Sequence, residues 1–483
     1  MRALLDAPVI RIAEMIRCGE ISPVEVVDAH IARMGVVEPL LNALTADRFD
    51  SARTEARAAE DAAVAARADG TVDRLPPLHG VPCTIKEFLQ VRDMPWTGGL
   101  ERRVDERGTR DAVVVRRLRA AGAIVLGTSN VPEGGLWMET YNAIYGRTMN
   151  PWDLGRTPGG SSGGEGALVA SGASPFGIGT DVGGSIRIPA AFCGIAGHKP
   201  SSLMVPNDGH FPPATGGAEP YLCAGPMGRC VDDLALIMEV ISGPDPASPQ
   251  VHRTFGGMGS GDLSGVTVLP LETNGRMRVR KVMRRAVRRA ADVLAARGAT
   301  VQEVELPSLR YAFEIWSAML SAASEVHYAT VLGGEDGVRF VREFLALPFG
   351  RSRFTFAGLA LTAADGLTQS LTGTMARYVE LGTELQNELE RVLGPRGVLL
   401  HPPYSRPAPR HRDAWRTPFD AACTAIFNVL EMPVTVVPVG FERRGLPLAV
   451  QVGALRGNDG LTLAVAKALE DELGGWVRAE PGS

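Results

Sequence analysis

The stretch PFGIGTDVGGSIRIP, residues 175–189, reads as a short apolar strand that breaks into glycine just before a serine. Gly183 and Gly184 carry no side chain, and Ser185 follows them directly. Two readings are open from these residues alone. One is a tight turn that contains a serine. The other is a turn whose backbone N–H groups stay uncovered because negative charge forms beside the serine hydroxyl.

Outward from this stretch, helix and strand signals alternate. SPVEVVDAHIARM (22–34) opens with a capping box, Ser22 and Glu25, with Pro23 at the first helical position. The run from Asp50 to Asp69 is rich in alanine and charge and reads as an exposed helix. LHGVPCTIK (78–86) ends as a strand, and DAVVVRRLRAAGAIVLGTS (111–129) is a helix, a stop at Gly122 and a buried strand. SSGGEGALVASG (161–172) is a glycine-opened helix, and VRRAADVLAARGATVQEVEL (287–306) repeats helix then strand. MPVTVVP (432–438) and PLAVQVG (447–453) are late strands. This alternation implies an α/β fold, a mixed and largely parallel sheet covered by helices on both faces. With no internal repeat and little change of composition, residues 1–483 read as one domain. N-terminal helices occupy about 10–70, the core about 75–240, a helical cap about 310–380, and closing strands and a helix about 395–475.

Composition excludes several classes. Apolar residues at 45% and charged residues at 22% are ordinary globular values. A net charge of −4 with scattered lysines and arginines offers nucleic acid no footprint. The N-terminus meets acidic residues too early for a signal peptide, and no apolar run is long enough for a membrane span. A soluble cytoplasmic protein, monomer or homodimer, is expected. The six cysteines form no CxxC and the histidines no HExxH, so neither a metal nor another cofactor is expected.

A second glycine cluster, PGGSSGGEGA (158–167), is not a P-loop, because no GK[ST] follows. Gly159–Gly163 fits the GxSxG nucleophile elbow, but that turn needs a buried strand before it. NPWDLGRT (150–157) is polar and turn-like instead, and no histidine presents itself as a base.

Three segments belong together: VPCTIKEF with Lys86, PGGSSGGEGA with Ser161 and Ser162, and GTDVGGSIRIP with Ser185. Lys86 and Ser161 stand 75 residues apart, and Ser161 and Ser185 stand 24 apart. In motif and spacing the chain resembles the amidase signature family, most densely over 78–230 and again in FNVLEMPVTVVPVGFERRGLPLAVQVGA (427–454). GGSSGGEGAL, GTDVGGSIRIPAAFCGIAGHKP and YLCAGPMGR look most like the fatty acid amide hydrolase branch. They look less like the amidase subunit of tRNA-dependent amidotransferases, which stays as the alternative. Two residues depart from the family pattern: Glu87 replaces an aspartate, and His198 replaces a leucine.

The resemblance implies a hydrolase of linear amides with a Ser-Ser-Lys triad, acting on a small-molecule amide and water. Ser185 is the implied nucleophile, Lys86 the base, and Ser161 the relay, joined to Gly160 by a cis peptide. A lysine can be the base only when neutral, so its pKa must fall from about 10.4 toward ~7, which burial among apolar walls can supply. With glycines at 183 and 184, the amides of Val182, Gly183, Gly184 and Ser185 can converge on the tetrahedral oxygen. Ser162, Asp181 and Arg187 are implied supports. Blander readings stay open: Lys86 as a solvated strand end, Ser161 and Ser162 as helix caps, Asp181 and Arg187 as a surface ion pair. Gln451 is either near the pocket or structural, and Cys193 reads as core. The same acyl-enzyme would form from amides, carbamates and esters.

For the substrate pocket, the aromatic run FVREFLALPFGRSRFTF (340–356) offers Phe344 and Phe349. GGLWMET (134–140) offers Gly135, Leu136, Trp137 and Met138 as an opposite lip. Either these wall an apolar pocket or they pack a core.

Overall fold

A computed structural model describes residues 2–135, 137–334, 337–349, 351–368 and 372–482. Its centre is an eleven-stranded sheet. In spatial order the strands are Leu44–Asp47, Ile124–Ser129, Pro82–Lys86, Phe176–Asp181, Cys223–Gly228, Ala196–Lys199, Val434–Phe441, Pro447–Ala454, Gly397–His401, Thr267–Pro270 and Thr300–Val301. The sheet is mixed. Pairing is parallel where Pro82–Lys86 lies between Ile124–Ser129 and Phe176–Asp181, and again from Gly397–His401 through Thr267–Pro270 to Thr300–Val301, while the edge strand Leu44–Asp47 is antiparallel to Ile124–Ser129. Pairing is antiparallel through the middle, from Phe176–Asp181 across to Gly397–His401.

Alternation along each strand sends successive side chains to opposite faces. Val398 and Leu400 join one apolar cluster and Leu399 another. The first face is covered by the helices Val9–Cys18, Val231–Ile241, Lys281–Ala296 and Asp459–Leu473. The other carries Arg187–Cys193, Ala312–Ala323 and Ala422–Val429. Ser22 caps the Pro23–Leu41 helix with the expected reciprocal bonds to Glu25. Among the described residues no helix is long and apolar enough to cross a membrane.

The same alternation positions the chemistry. Cys83 and Ile85 enter the first cluster, so Thr84 and Lys86 must point to the opposite face. Phe176 and Ile178 do likewise, and Gly177 and Gly179 occupy the opposite side. The helix Gly163–Ala170 packs closely there: a Cβ on Gly179 would meet Ser162 Oγ at 2.9 Å.

Candidate active site

Lys86 ends its strand fully buried, with Nζ 2.8 Å from Ser161 Oγ and donating to the Thr180 carbonyl at 3.1 Å. Burial holds its pKa well below the ordinary lysine value, against the opposing pull of Asp181 and Glu165. It is not a solvated strand end. The Gly160–Ser161 peptide is cis. Ser162 precedes the helix, but its side chain makes no cap bond; its Oγ lies 3.4 Å from the Thr180 backbone. Its N–H donates to the Ser185 carbonyl at 3.1 Å, tying the two serine segments together.

Asp181 and Arg187 are both fully buried, so their ion pair is not a surface one. Arg187 reaches Asp181 through Nε at 3.0 Å and Nη2 at 2.8 Å. Burial alone would raise the Asp181 carboxyl, yet the Arg187 guanidinium holds it far below the carboxylate range. That carboxylate also takes the N–H groups of Gly184 at 2.7 Å and Ile186 at 3.0 Å. One expectation is corrected here. The Gly184 amide is committed to Asp181 and cannot also receive an oxyanion, while those of Val182, Gly183 and Ser185 are left out of the Asp181 cluster. Gly184 is glycine for another reason: its φ is +121°, and a Cβ would overlap Thr424 Oγ1 behind it.

The helix Ala422–Val429 buttresses this turn, and its contribution was not read from the sequence. Thr424 Oγ1 donates to the Gly183 carbonyl at 2.8 Å, and Asn428 Nδ2 to the Asp181 carbonyl at 3.0 Å. Trp316 Nε1 donates to the Val182 carbonyl at 2.9 Å. The available signal was Thr424 and Asn428 at a spacing of four, one helical face inside an apolar run.

Ser161 and Ser185 open onto one cavity, walled by Phe88, Val182, Leu222, Leu320, Tyr328 and Val331. His210 also lines it, with Nε2 3.0 Å from Thr180 Oγ1 and Nδ1 2.7 Å from the Pro212 carbonyl. A carbonyl only accepts, so Nδ1 carries the proton. Burial holds the ring neutral, with its pKa down to about 3. Among the described lining residues, Glu325 alone carries a formal charge.

The pocket residues named from sequence separate. Gly135 lines the cavity. Phe344 and Phe349 do not: they are 53% and 78% exposed, on the outside of the cap. Trp137 stacks on Trp415 at 4.2 Å, and Met138 Sδ accepts from Tyr404 Oη, so both pack a satellite core behind the serine loop. Leu136 lies outside the described residues. The part of the cap that reaches the cavity is its beginning, Leu320 to Val331. The aromatic run at 340–356 lies beyond this part, where Tyr328 is buried in the cavity wall.

Gln451 is buried away from the cavity, donating to the Cys423 carbonyl at 2.6 Å, and Cys193 is buried core. Glu87 points away from Lys86 and accepts from Thr97 Oγ1 at 2.7 Å and Gly98 N at 2.9 Å. Gly98 in turn holds Gly134 of the cavity wall through its carbonyl. His198 pairs with Asp459 at 3.2 Å on the sheet's other side of the core.

A sequence profile of the amidase family matches residues 25–463. The chain belongs to the amidase family. Fatty-acid amide hydrolase 2-B of Danio rerio is 39% identical over 490 residues, spanning 99% of this chain and 91% of that protein. Fatty-acid amide hydrolase 2 of Homo sapiens is 37% identical, spanning 97% and 89%. The crystal structure of a bacterial aryl acylamidase of the amidase signature family superposes with a TM-score of 0.81 at 27% identity, covering 96% of each chain. This amidase is therefore an amide-hydrolysing enzyme, built on the α/β sheet that its motifs implied.

Proposed function

We propose that this amidase cleaves carbon–nitrogen acyl bonds of neutral, apolar amides, aryl amides and carbamates through an acyl-enzyme on Ser185. The observation that carries this reading is the buried Lys86 amine, 2.8 Å from Ser161 Oγ, beside a largely apolar cavity that Ser161 and Ser185 share. Ser185 Oγ attacks the carbonyl carbon. Its proton passes to Ser161 as the Ser161 proton passes to neutral Lys86. The tetrahedral oxygen is received by the amides of Val182, Gly183 and Ser185, each worth ~10²–10³ in rate. Collapse breaks the C–N bond, and Lys86 returns the proton through Ser161 to the leaving amine. Water then attacks the acyl ester, giving its proton to the same relay, and Ser185 is regenerated as the acid leaves. Esters form the same intermediate and are expected as side substrates.

The largely uncharged cavity supports neutral substrates over carboxylate-bearing ones. Mass spectrometry after fluorophosphonate treatment is expected to place one adduct on Ser185. Labelling that persists in Ser185→Ala would overturn the assignment.

A further inference from the structure

The steps above leave one buried carboxyl unused. Glu165 lies in the first turn of the Gly163–Ala170 helix and is fully buried. Two rungs join this helix start to the Pro82–Lys86 strand. Lys86 and Thr84 share one face of the strand, and Ser161 and Glu165 stand four residues apart. Lys86 meets Ser161 on the first rung, and Thr84 Oγ1 donates to Glu165 Oε2 at 2.6 Å on the second. Glu165 Oε1 has no hydrogen-bond partner among the described residues. The neighbouring strand makes room for this carboxyl: a Cβ on Gly177 would overlap Glu165 Oε2. The strand leaves room for an acid here, and the charges of Glu165 and Lys86 act on one another.

We propose that Glu165 is a positioning residue acting through Lys86: its carboxylate is the countercharge for the ammonium formed each time Lys86 takes the serine proton. This rests on Lys86 being the base. Glu165 itself gains and loses nothing in the step, since the proton leaving Ser185 ends on Lys86 through Ser161. An ammonium in a dry interior costs far more than in water, and a fixed carboxylate lowers that cost without lending a proton. Burial pushes Glu165 up to about 7, with the Thr84 and Ser129 hydroxyls and then Lys86 opposing, so its carboxylate is available at and above neutral pH. The other titratable groups facing the pair are accounted for. Asp181 also favours the Lys86 ammonium, but its charge is shared with Arg187, whereas the charge acting on Glu165 is that of Lys86. His210 is held uncharged by burial, and burial keeps the Cys83 thiol protonated.

The test is the pH dependence of kcat/KM on a neutral anilide, and of Ser185 labelling by a fluorophosphonate, in the full-length enzyme. Glu165→Gln keeps the shape and an acceptor for Thr84. Its plateau kcat is expected to fall about tenfold or more with KM little changed. Its acid limb should move to lower pH by about one unit, because Lys86 becomes harder to protonate. Thr84→Val keeps the carboxyl but removes its donor, so Glu165 ionises later and the acid limb moves the other way, to higher pH. Opposite displacements in the two variants are not expected of a residue that only fills space. If both retain the wild-type acid limb, Glu165 is structural and the inference falls. Lys86→Ala separates the two levels. If it labels as fast as wild type, the base assignment itself fails. If it is inert while Glu165→Gln leaves the limb in place, only the role of Glu165 fails.

Discussion

This amidase buries two ionisable clusters against one sheet, and they differ in completeness. At His198 the cluster is closed: Nδ1 lies 2.9 Å from Thr435 Oγ1 and Nε2 3.2 Å from Asp459 Oδ1. Asp459 also accepts from Ser201 N at 2.7 Å and Ser201 Oγ at 2.5 Å. Burial would raise the Asp459 carboxyl, but its bonds to His198 and Ser201 hold it below the usual range. At Lys86 the cluster is open. The amine is forced toward neutrality, Glu165 keeps an unpartnered oxygen, and the serines face a cavity. Fully partnered polar atoms rigidify a core. A cluster left short of partners beside a cavity is poised to take and give protons.

The sharpest way to break this contrast is to remove the proposed base. Lys86→Met is expected to cut kcat/KM by about 10⁴-fold or more. It should leave the melting temperature equal or higher, because burying an amine is unfavourable. The sign can be followed with pH. The Lys86 pKa is lower folded than unfolded, so between those values the unfolded chain binds more protons. Wild-type stability therefore gains with rising pH up to the ordinary lysine pKa, a slope the methionine variant lacks. Thermal melts from pH 7 to 10 measure both; a clear loss of stability in Lys86→Met would contradict the contrast.

The closed cluster should behave in the opposite way. His198→Leu installs the residue expected from the family pattern but strands Asp459 in the core. The expected cost is about 3 kcal/mol or more of unfolding free energy, with kcat unchanged in the folded enzyme. Urea titration and active-site-normalised kinetics separate the two. A large fall in kcat at unchanged stability would move His198 into the catalytic machinery.

Thr424 tests how far the site could be read from sequence. The proposed triad is legible because its residues sit in short, glycine-marked segments where local chain geometry and chemistry coincide. Its buttress is not. Thr424, Asn428 and Trp316 approach the 181–185 turn from more than 130 residues away, and only the packed sheet brings them there. The oxyanion turn was over-read for a related reason. Two glycines suggested four free amides, whereas Asp181 takes one and Thr424 explains one of the glycines. Of the expected pocket residues Gly135 lines the cavity, whereas aromatic density at 340–356 does not mark burial, since Phe344 and Phe349 stand on the outer surface. Thr424→Val removes the bond to the Gly183 carbonyl, one net hydrogen bond of about 1 kcal/mol. A fall in kcat of about fivefold to tenfold is expected, with a loss of about 1 kcal/mol of unfolding free energy. An undiminished kcat would mean the turn holds its shape without that helix.

The smallest expected effect concerns the rim of the open cluster. Glu325 is exposed, and it is the charged residue among those lining the cavity. An anionic acyl group entering past it meets a like charge, while a neutral one does not. Because the carboxylate is solvated, the penalty is modest and screened by salt. Glu325→Gln is therefore expected to raise kcat/KM for a carboxylate-bearing acyl anilide by about threefold at low ionic strength, shrinking as salt is added. The same variant should leave neutral anilides within experimental error, along a series of increasing acyl length. That pairing matters, since a general loosening of the mouth would speed both classes and would be indifferent to salt. A wild-type preference for carboxylate-bearing acyl groups, unaffected by the substitution, would instead place an unrecognised cationic partner inside the cavity and reverse the reading of it as a neutral, apolar site.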